Sequence, residues 1–132
     1  MELHTHLVDF GMVVLLWLVQ LVIYPSFLNI DTRQLVAWHR VYTFRVAFVI
    51  VPMLFSQLIL WIYRAIIDAS FISIIGLILV FICWILTFFV SVPLHRKIER
   101  GEGSDIILKR LIATNWPRTI CWTAVFIVGI LG

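Results

Sequence analysis

The residues best suited to chemistry lie near the C-terminus, where Asn115, Arg118, Thr119 and Trp122 interrupt an otherwise apolar segment. Helix positions three, four and seven residues apart share one face, so this spacing predicts a single polar stripe. A guanidinium, an amide and a hydroxyl on one stripe can bind an anionic or hydrogen-bonding ligand. A charge at membrane depth is costly, so the stripe is expected to face the protein interior or a cavity, or to snorkel to the surface.

Similar polar stripes occur in three earlier segments of the chain. They hold Trp17, Gln20 and Tyr24; then His39 with Tyr42, overlapped by a set of Trp38, Tyr42 and Arg45; and then Cys83, Thr87, Ser91 and His95. If every stripe faces inward, one pocket is ringed by Gln20, Tyr24, His39, Tyr42, Arg45, Ser91, His95, Asn115, Arg118 and Thr119, with Trp122 beside it. A second interpretation stays open, because membrane helices also use small polar residues to bond to one another and aromatic residues at their boundaries.

Two histidines fall at matching depth on neighbouring segments. His39 and His95 could ligate a metal or a haem iron between helices, and Arg45 and Arg118 could then pair with propionates or another anion. His6, which follows His4 near the N-terminus, is a third candidate metal ligand. The alternative is that these are interfacial histidines beside lipid headgroups.

The segments that carry these stripes are long and apolar. Of 132 residues, 63% are hydrophobic and 13% are charged, whereas a soluble domain has roughly a quarter charged. Apolar runs cover residues 7–24, 46–64, 71–94 and 111–131, and each approaches the roughly 20 residues that cross a bilayer as a helix. The sequence therefore predicts an all-α integral membrane protein, one antiparallel four-helix transmembrane bundle over residues 1–132. Residues 25–45 and 95–110 are its predicted cytoplasmic loops.

The basic residues give an orientation for this bundle. Nine of the ten Lys and Arg residues fall on one side: three between the first and second runs, five between the third and fourth, and Arg118 in the first half of the fourth run, whereas Arg64 is on the other side. By the positive-inside rule, these two loops face the cytoplasm and both termini are extracytoplasmic. Because this rule already accounts for the basic residues, and because no binding module is visible, nucleic acid is not an expected partner.

Several scattered positions resemble a known group of proteins. They are His6, Trp17 to Tyr24-Pro25, Arg45 with Pro52-Met53, His95, and Asn115 with Pro117. This arrangement resembles the small four-helix bacterial inner-membrane proteins that include HemJ-type protoporphyrinogen oxidases and copper-resistance D domains. The stretch NWPRTICWT also resembles uncharacterised four-helix bacterial membrane proteins. The first resemblance implies a bacterial inner membrane, haem b, membrane redox chemistry, and His6 and His95 as the positions to carry over.

Three functions from different classes fit the sequence. The first is a polar pocket that binds a cofactor, with haem the leading candidate, or a small amphipathic ligand. The second is a non-catalytic accessory or assembly subunit of a larger membrane complex, and the third is a small oligomeric transporter. The lipid bilayer is the expected partner in all three, with a larger complex or a homo-oligomer as a further one. Whether the protein is an enzyme is left open by the residues alone.

Overall fold

The fold is a bundle of four long helices. The computed structural model describes residues 2–132, and within that range no strand is present. The helices are α1 (Glu2–Asn29), α2 (Thr32–Ile67), α3 (Phe71–Glu102) and α4 (Asp105–Leu131). Each helix packs against the next in chain order, and α4 closes the ring against α1. Because the connections are short, neighbouring helices run antiparallel, as predicted.

The helices extend well beyond the apolar runs, so most of the expected loop residues are helical. Between α1 and α2 only residues 30–31 are outside a helix, and the Asp31 side chain caps α2 by accepting a hydrogen bond from the Arg33 backbone N–H. Between α3 and α4 only residues 103–104 are non-helical, after Gly101 ends α3 with φ 81°. Ser104 occupies the N-cap position of α4, and Asp105 is the first residue of the helix. Residues 32–45 and 95–100 were expected in loops but are helical, because neither stretch contains a Gly or Pro residue that would end the helix.

The two ends of the bundle differ in character. The end that holds residues 30–31 and 103–104 is called the basic end, and the end that holds Glu2, Asp68 and Leu131 is called the terminal end. At the terminal end, the Ser70 side chain caps α3 by accepting a hydrogen bond from the Ser73 backbone N–H. Hydrogen bonds from Ser70 and Ser73 hold the pKa of the exposed Asp68 below its usual range.

The surface supports a membrane protein. Helices α1, α2 and α3 are long and apolar enough to cross a membrane. Helix α4 is not among them, because its first half carries charged and amide side chains. Large aromatic side chains point outward, among them Phe44, Phe48 and Phe89, which are 68%, 69% and 78% exposed. Soluble monomers rarely expose apolar area on this scale.

The interior has two apolar clusters, one in each half of the bundle. The cluster towards the terminal end contains Met12, Leu16, Leu54, Trp61, Val80, Cys83, Cys121, Trp122 and Val125. The cluster towards the basic end contains Val19, Tyr24, Phe27, Leu35, Leu94, Ile98, Leu108 and Leu111. Trp61 fits because its neighbour on α3 is Gly76: a Cβ there would lie 1.8 Å from the Trp61 ring.

Two π-helical turns explain why the polar stripes stay on one line. On an α-helix, positions four apart drift by roughly 40° per step, because each residue turns the chain by about 100°. Helix α1 contains a π turn at Val19–Ile23, and α3 contains one at Thr87–Ser91. The wider i→i+5 turn takes up this drift. Gln20 and Tyr24, and likewise Thr87 and Ser91, are therefore all buried.

Candidate functional site

Arg118 is the centre of the polar interior. Its side chain is only 5% exposed and donates hydrogen bonds to Ser91 Oγ at 2.9 Å and to Asn115 Oδ1 at 2.9 Å. The guanidinium carbon lies 5.5 Å from the centre of the Trp122 ring, in cation–π contact. Its Nε atom is buried without a hydrogen-bond partner. All of these contacts are to neutral groups, so none of them balances the positive charge.

A buried amide cluster holds Arg118 in place. Asn115 Nδ2 donates to Gln20 Oε1 at 2.9 Å, and Gln20 Nε2 donates to the Ile112 carbonyl at 3.2 Å. Thr119 adds a longer bond of 3.4 Å to the same Gln20 oxygen. These three side chains are at most 2% exposed, and they connect α1 to α4. Because its Nδ2 is bound to Gln20, Asn115 holds its side-chain oxygen in a fixed position towards Arg118.

A second hydrogen-bonded chain runs through the two histidines. The Tyr24 hydroxyl lies 2.8 Å from His95 Nε2, and His95 Nδ1 lies 2.7 Å from His39 Nε2. His39 Nδ1 then faces Glu99 Oε1 at 3.6 Å, and Thr43 donates to the same oxygen at 3.1 Å. This Tyr24–His95–His39–Glu99 chain, called the histidine chain below, joins α1, α2 and α3.

A cavity of about 350 Å³ lies between α2 and α3 and reaches both features. Its polar wall includes Tyr24, Ser91, His95 and Arg118, with Tyr42 and Glu99 nearer its rim. The rest of its wall is mainly apolar and includes Val46, Ala47, Ile50, Val51, Leu54 and Phe88. Val51 and Phe88 are 45% and 49% exposed, so the cavity opens on the outer surface of the bundle.

Most of the residues chosen from sequence come together here, and two do not. Gln20, Tyr24, Tyr42, Ser91, His39, His95, Asn115, Arg118 and Thr119 all lie in this half of the bundle, with Trp122 beneath Arg118. Arg45 is exposed and does not line the cavity. His6 lies at the terminal end, where its Nε2 is 3.1 Å from the Gly129 carbonyl oxygen.

The terminal end contains a second buried polar cluster that the sequence did not reveal as a unit. Asp9 is fully buried and accepts hydrogen bonds from Gln57 Nε2 at 2.6 Å and from Trp61 Nε1 at 3.1 Å. Gln57 Oε1 in turn accepts from Trp122 Nε1 at 2.8 Å. The hydrogen-bond partners of Asp9 lie 48 and 52 residues away along the chain, beyond any local sequence pattern.

Glu99 was also missed, although its position carried a signal. It follows His95 by four residues and so shares its helix face. Residues 95–110 were predicted as a loop because they are polar, so the helix face that Glu99 shares with His95 was not considered. Thr43, one residue beyond Tyr42, was missed for lack of any distinguishing chemistry.

The histidines do not form a preorganised metal pair. Haem iron held between two opposed imidazoles needs the ligand nitrogens about 4 Å apart, twice a metal–nitrogen bond of roughly 2.0–2.1 Å, and a tetrahedral zinc ion needs them about 3.3 Å apart. His39 and His95 bring theirs to 2.7 Å, and the other His95 nitrogen bonds Tyr24. Among residues 2–132, no group of three or more His, Cys, Asp or Glu side chains is arranged to hold a metal ion. His6 cannot join them from the opposite end. These positions therefore do not fit the haem ligation that the resemblance implied.

Comparison with known proteins identifies no relative of this chain. No protein-family model, no curated protein and no solved structure matches the chain. The resemblance to HemJ-type and copper-resistance D proteins therefore stays a prediction.

Proposed function

We propose that the protein is a four-span membrane protein that binds an amphipathic anion in the cavity between α2 and α3, with Arg118 holding the anionic group. In this proposal α4 is the fourth span, both termini are extracytoplasmic, and the basic end faces the cytoplasm of a bacterial cell. The distribution of Lys and Arg supports this orientation, because Arg64 alone lies at the terminal end.

The uncompensated charge of Arg118 carries the proposal. Among residues 2–132, the one basic side chain within ion-pair distance of an acidic one is the His39 imidazole beside Glu99, so Arg118 has no acidic partner. Burying a charge without an opposite charge costs several kcal/mol, and such groups in membrane proteins usually serve a ligand or a pathway. A guanidinium beside a cavity is well suited to a carboxylate, phosphate or phenolate, because it can offer two parallel N–H donors.

The shape of the cavity defines the rest of the ligand. Its volume of about 350 Å³ is within the range of small-molecule sites. Polar groups lie along one part of the wall, and aliphatic side chains from α2 and Phe88 from α3 form the remainder. An acyl, isoprenoid or fused-ring body would occupy this apolar part, with its anionic group at Arg118. Entry from the lipid phase fits the exposed lining residues Val51 and Phe88.

A fluorescent fatty acid tests this proposal directly. Purified protein in mild detergent is titrated with dansylaminoundecanoate, whose fluorescence rises in an apolar site, and with its uncharged methyl ester. We expect saturable binding of the acid and weaker binding of the ester. Arg118→Gln should weaken binding of the acid by about 10- to 100-fold, the loss of one hydrogen bond to a charged group.

Two further variants make the test decisive. Arg45→Gln removes an exposed cation at the same end and should leave binding unchanged. Ala47→Phe fills the cavity without touching Arg118 and should abolish binding while the α-helical circular dichroism stays intact. Equal binding by wild type, Arg118→Gln and Ala47→Phe would show that this is not the site, and the accessory-subunit function would then take its place.

A further inference from the structure

The histidine chain has the geometry of a proton path along the wall of the cavity. Between His95 Nδ1 and His39 Nε2, at 2.7 Å, there is room for one proton. One arrangement satisfies both hydrogen bonds of the chain, because Tyr24 donates to His95 Nε2 and His95 Nδ1–H donates to His39 Nε2, and it points His39 Nδ1–H at Glu99. In this arrangement both imidazoles are neutral and all donors point the same way, from the cavity to Glu99.

The two ends of this chain have unlike surroundings. Tyr24 is only 3% exposed and lines the cavity beside Arg118. The Glu99 side chain is 35% exposed, so it can exchange protons with water at the basic end. His39 is fully buried and lies outside the cavity lining, so the path passes behind the wall and stays connected when the cavity is occupied.

We propose that the histidine chain carries a proton between a weakly acidic hydroxyl of the bound ligand and Glu99, so that the ligand ionises beside Arg118. This inference rests on the anion site proposed above and names its ligand class: an amphipathic phenol, enol or quinol instead of a permanently charged lipid. Tyr24 would be the group in contact with the ligand, and His39 and His95 would be positioning and transfer residues behind it.

The proton balance of this step is closed. The Tyr24 O–H bond breaks as an N–H forms on His95 Nε2, His95 Nδ1–H passes to His39 Nε2, and His39 Nδ1–H passes to a Glu99 carboxylate oxygen. The ligand hydroxyl then gives its proton to the Tyr24 oxygen, and the ligand anion is stabilised by the Arg118 guanidinium. The net change is one proton moved from the ligand to Glu99, with no oxidant or reductant involved.

The groups around the histidines favour transfer in this direction. Tyr24 reaches them from α1, Tyr42 lies beside His39 on α2 with ring centres 6.1 Å apart, and Glu99 is the acid on α3. Arg118 on α4 supplies the positive charge at the cavity end, which stabilises an anion there. One link is open: His39 Nδ1 has no hydrogen-bond partner, and its 3.6 Å separation from Glu99 must shorten by about 0.5 Å for transfer.

A chromogenic phenol tests the proton path. An ortho-alkyl para-nitrophenol absorbs visibly only as the phenolate, so stopped-flow absorbance follows ionisation while a pH indicator follows proton release. Mixed with wild type, the probe should ionise on binding, and protons should appear in solution at the same rate. His39→Gln keeps hydrogen-bonding groups but cannot relay a proton, so ionisation should slow by about 100-fold with the dissociation constant unchanged. His4→Gln, an exposed histidine at the terminal end, is the matched control and should behave as wild type.

The Glu99→Gln variant separates a proton path from a merely structural role. It removes the proton acceptor with little change in side-chain size, so ionisation should slow about as much as in His39→Gln while the dissociation constant stays unchanged. If His39→Gln and Glu99→Gln bind the probe and ionise it at the wild-type rate, the proton path is overturned while the anion site stands. If the dansyl fatty acid binds and the nitrophenol does not, the ligand class is wrong. If Arg118→Gln binds both probes normally, the proposed function itself has failed.

Discussion

A carboxyl group, Asp9, is buried towards the terminal end of the bundle and a guanidinium, Arg118, towards the basic end, and their surroundings differ. Asp9 at the terminal end accepts hydrogen bonds from Gln57 and Trp61, and it does not line a cavity described here. Arg118 at the basic end has an orphaned Nε, neutral partners and a cavity against its side chain. Asp9 has its hydrogen bonds within the protein, which is typical of a structural residue. Arg118 still has a free N–H beside a cavity, which is typical of a binding site.

Replacing Asp9 should have the largest effect on stability. Asp9→Leu leaves the N–H groups of Gln57 and Trp61 buried without an acceptor, at about 1–3 kcal/mol each. We expect a free energy of unfolding lower by about 2–6 kcal/mol, measured by titration with sodium dodecyl sulfate in mixed micelles. Asp9→Asn, which keeps one acceptor oxygen, should lose less. A stable Asp9→Leu protein that no longer binds the dansyl fatty acid would place Asp9 in the site instead.

Gly76→Ala comes next, because it tests the packing that fixes Trp61 against Asp9. A Cβ at Gly76 would lie 1.8 Å from the Trp61 ring, so the ring must move and its N–H must leave the carboxylate. Overpacking of this kind costs about 1–3 kcal/mol, visible as a lower Tm by intrinsic fluorescence. Ile78→Ala, on the exposed side of the same helix, is the control, and an equal loss there would remove the argument.

Trp122 contacts Arg118 and also Gln57, which binds Asp9, so its replacement should affect both ends of the bundle modestly. Trp122→Phe removes the hydrogen bond to Gln57 and weakens the cation–π contact with Arg118. We expect a loss of about 1 kcal/mol in stability and a few-fold weaker binding of the dansyl fatty acid. If one measurement changes and the other does not, the two ends are energetically independent.

Arg118→Met should have the smallest effect on stability and should complete the contrast. Removing a buried, unneutralised charge relieves its desolvation, so the free energy of unfolding should change by less than about 1 kcal/mol or rise. Binding of the fatty acid should nevertheless be lost. If Arg118→Met unfolds as readily as Asp9→Leu, Arg118 is a structural residue and the comparison between the ends collapses.

The four-helix fold could be predicted from the sequence because long apolar runs indicate membrane helices. Long apolar runs have few alternatives in lipid, and three of the helices so identified are long and apolar enough to cross a membrane. The connections were harder, because residues 32–45 and 95–102 are polar enough to read as loops yet form helical turns at the basic end. Composition separates lipid-facing from water-facing residues, but it does not mark where a helix stops.

The sequence predicted those site residues whose position depends on a single helix face. It did not predict contacts that depend on how two helices pair. Asn115 and Arg118 were found because their spacing defines an inward face. Arg45 was added to the pocket because it aligns with Trp38 and Tyr42. It lies six residues after the buried His39, however, and six residues turn a helix by roughly 240° beyond a full circle, which takes Arg45 to the surface. The partners of His95 and Asp9 come from other helices, and one sequence contains no register between helices.

The π turn in α1 has a consequence for how the chain tolerates changes in length. A π turn is an α-helix with one residue too many, so removing an exposed residue such as Val22 would restore regular α-helical hydrogen bonding there. Because the π turn already absorbs the extra residue, its removal would leave the later residues of α1 on nearly the same face, with Tyr24 still at the cavity wall. In a regular α-helix the same deletion would rotate every later residue by about 100°. A single-codon deletion here should therefore yield a folded protein that keeps its ligand.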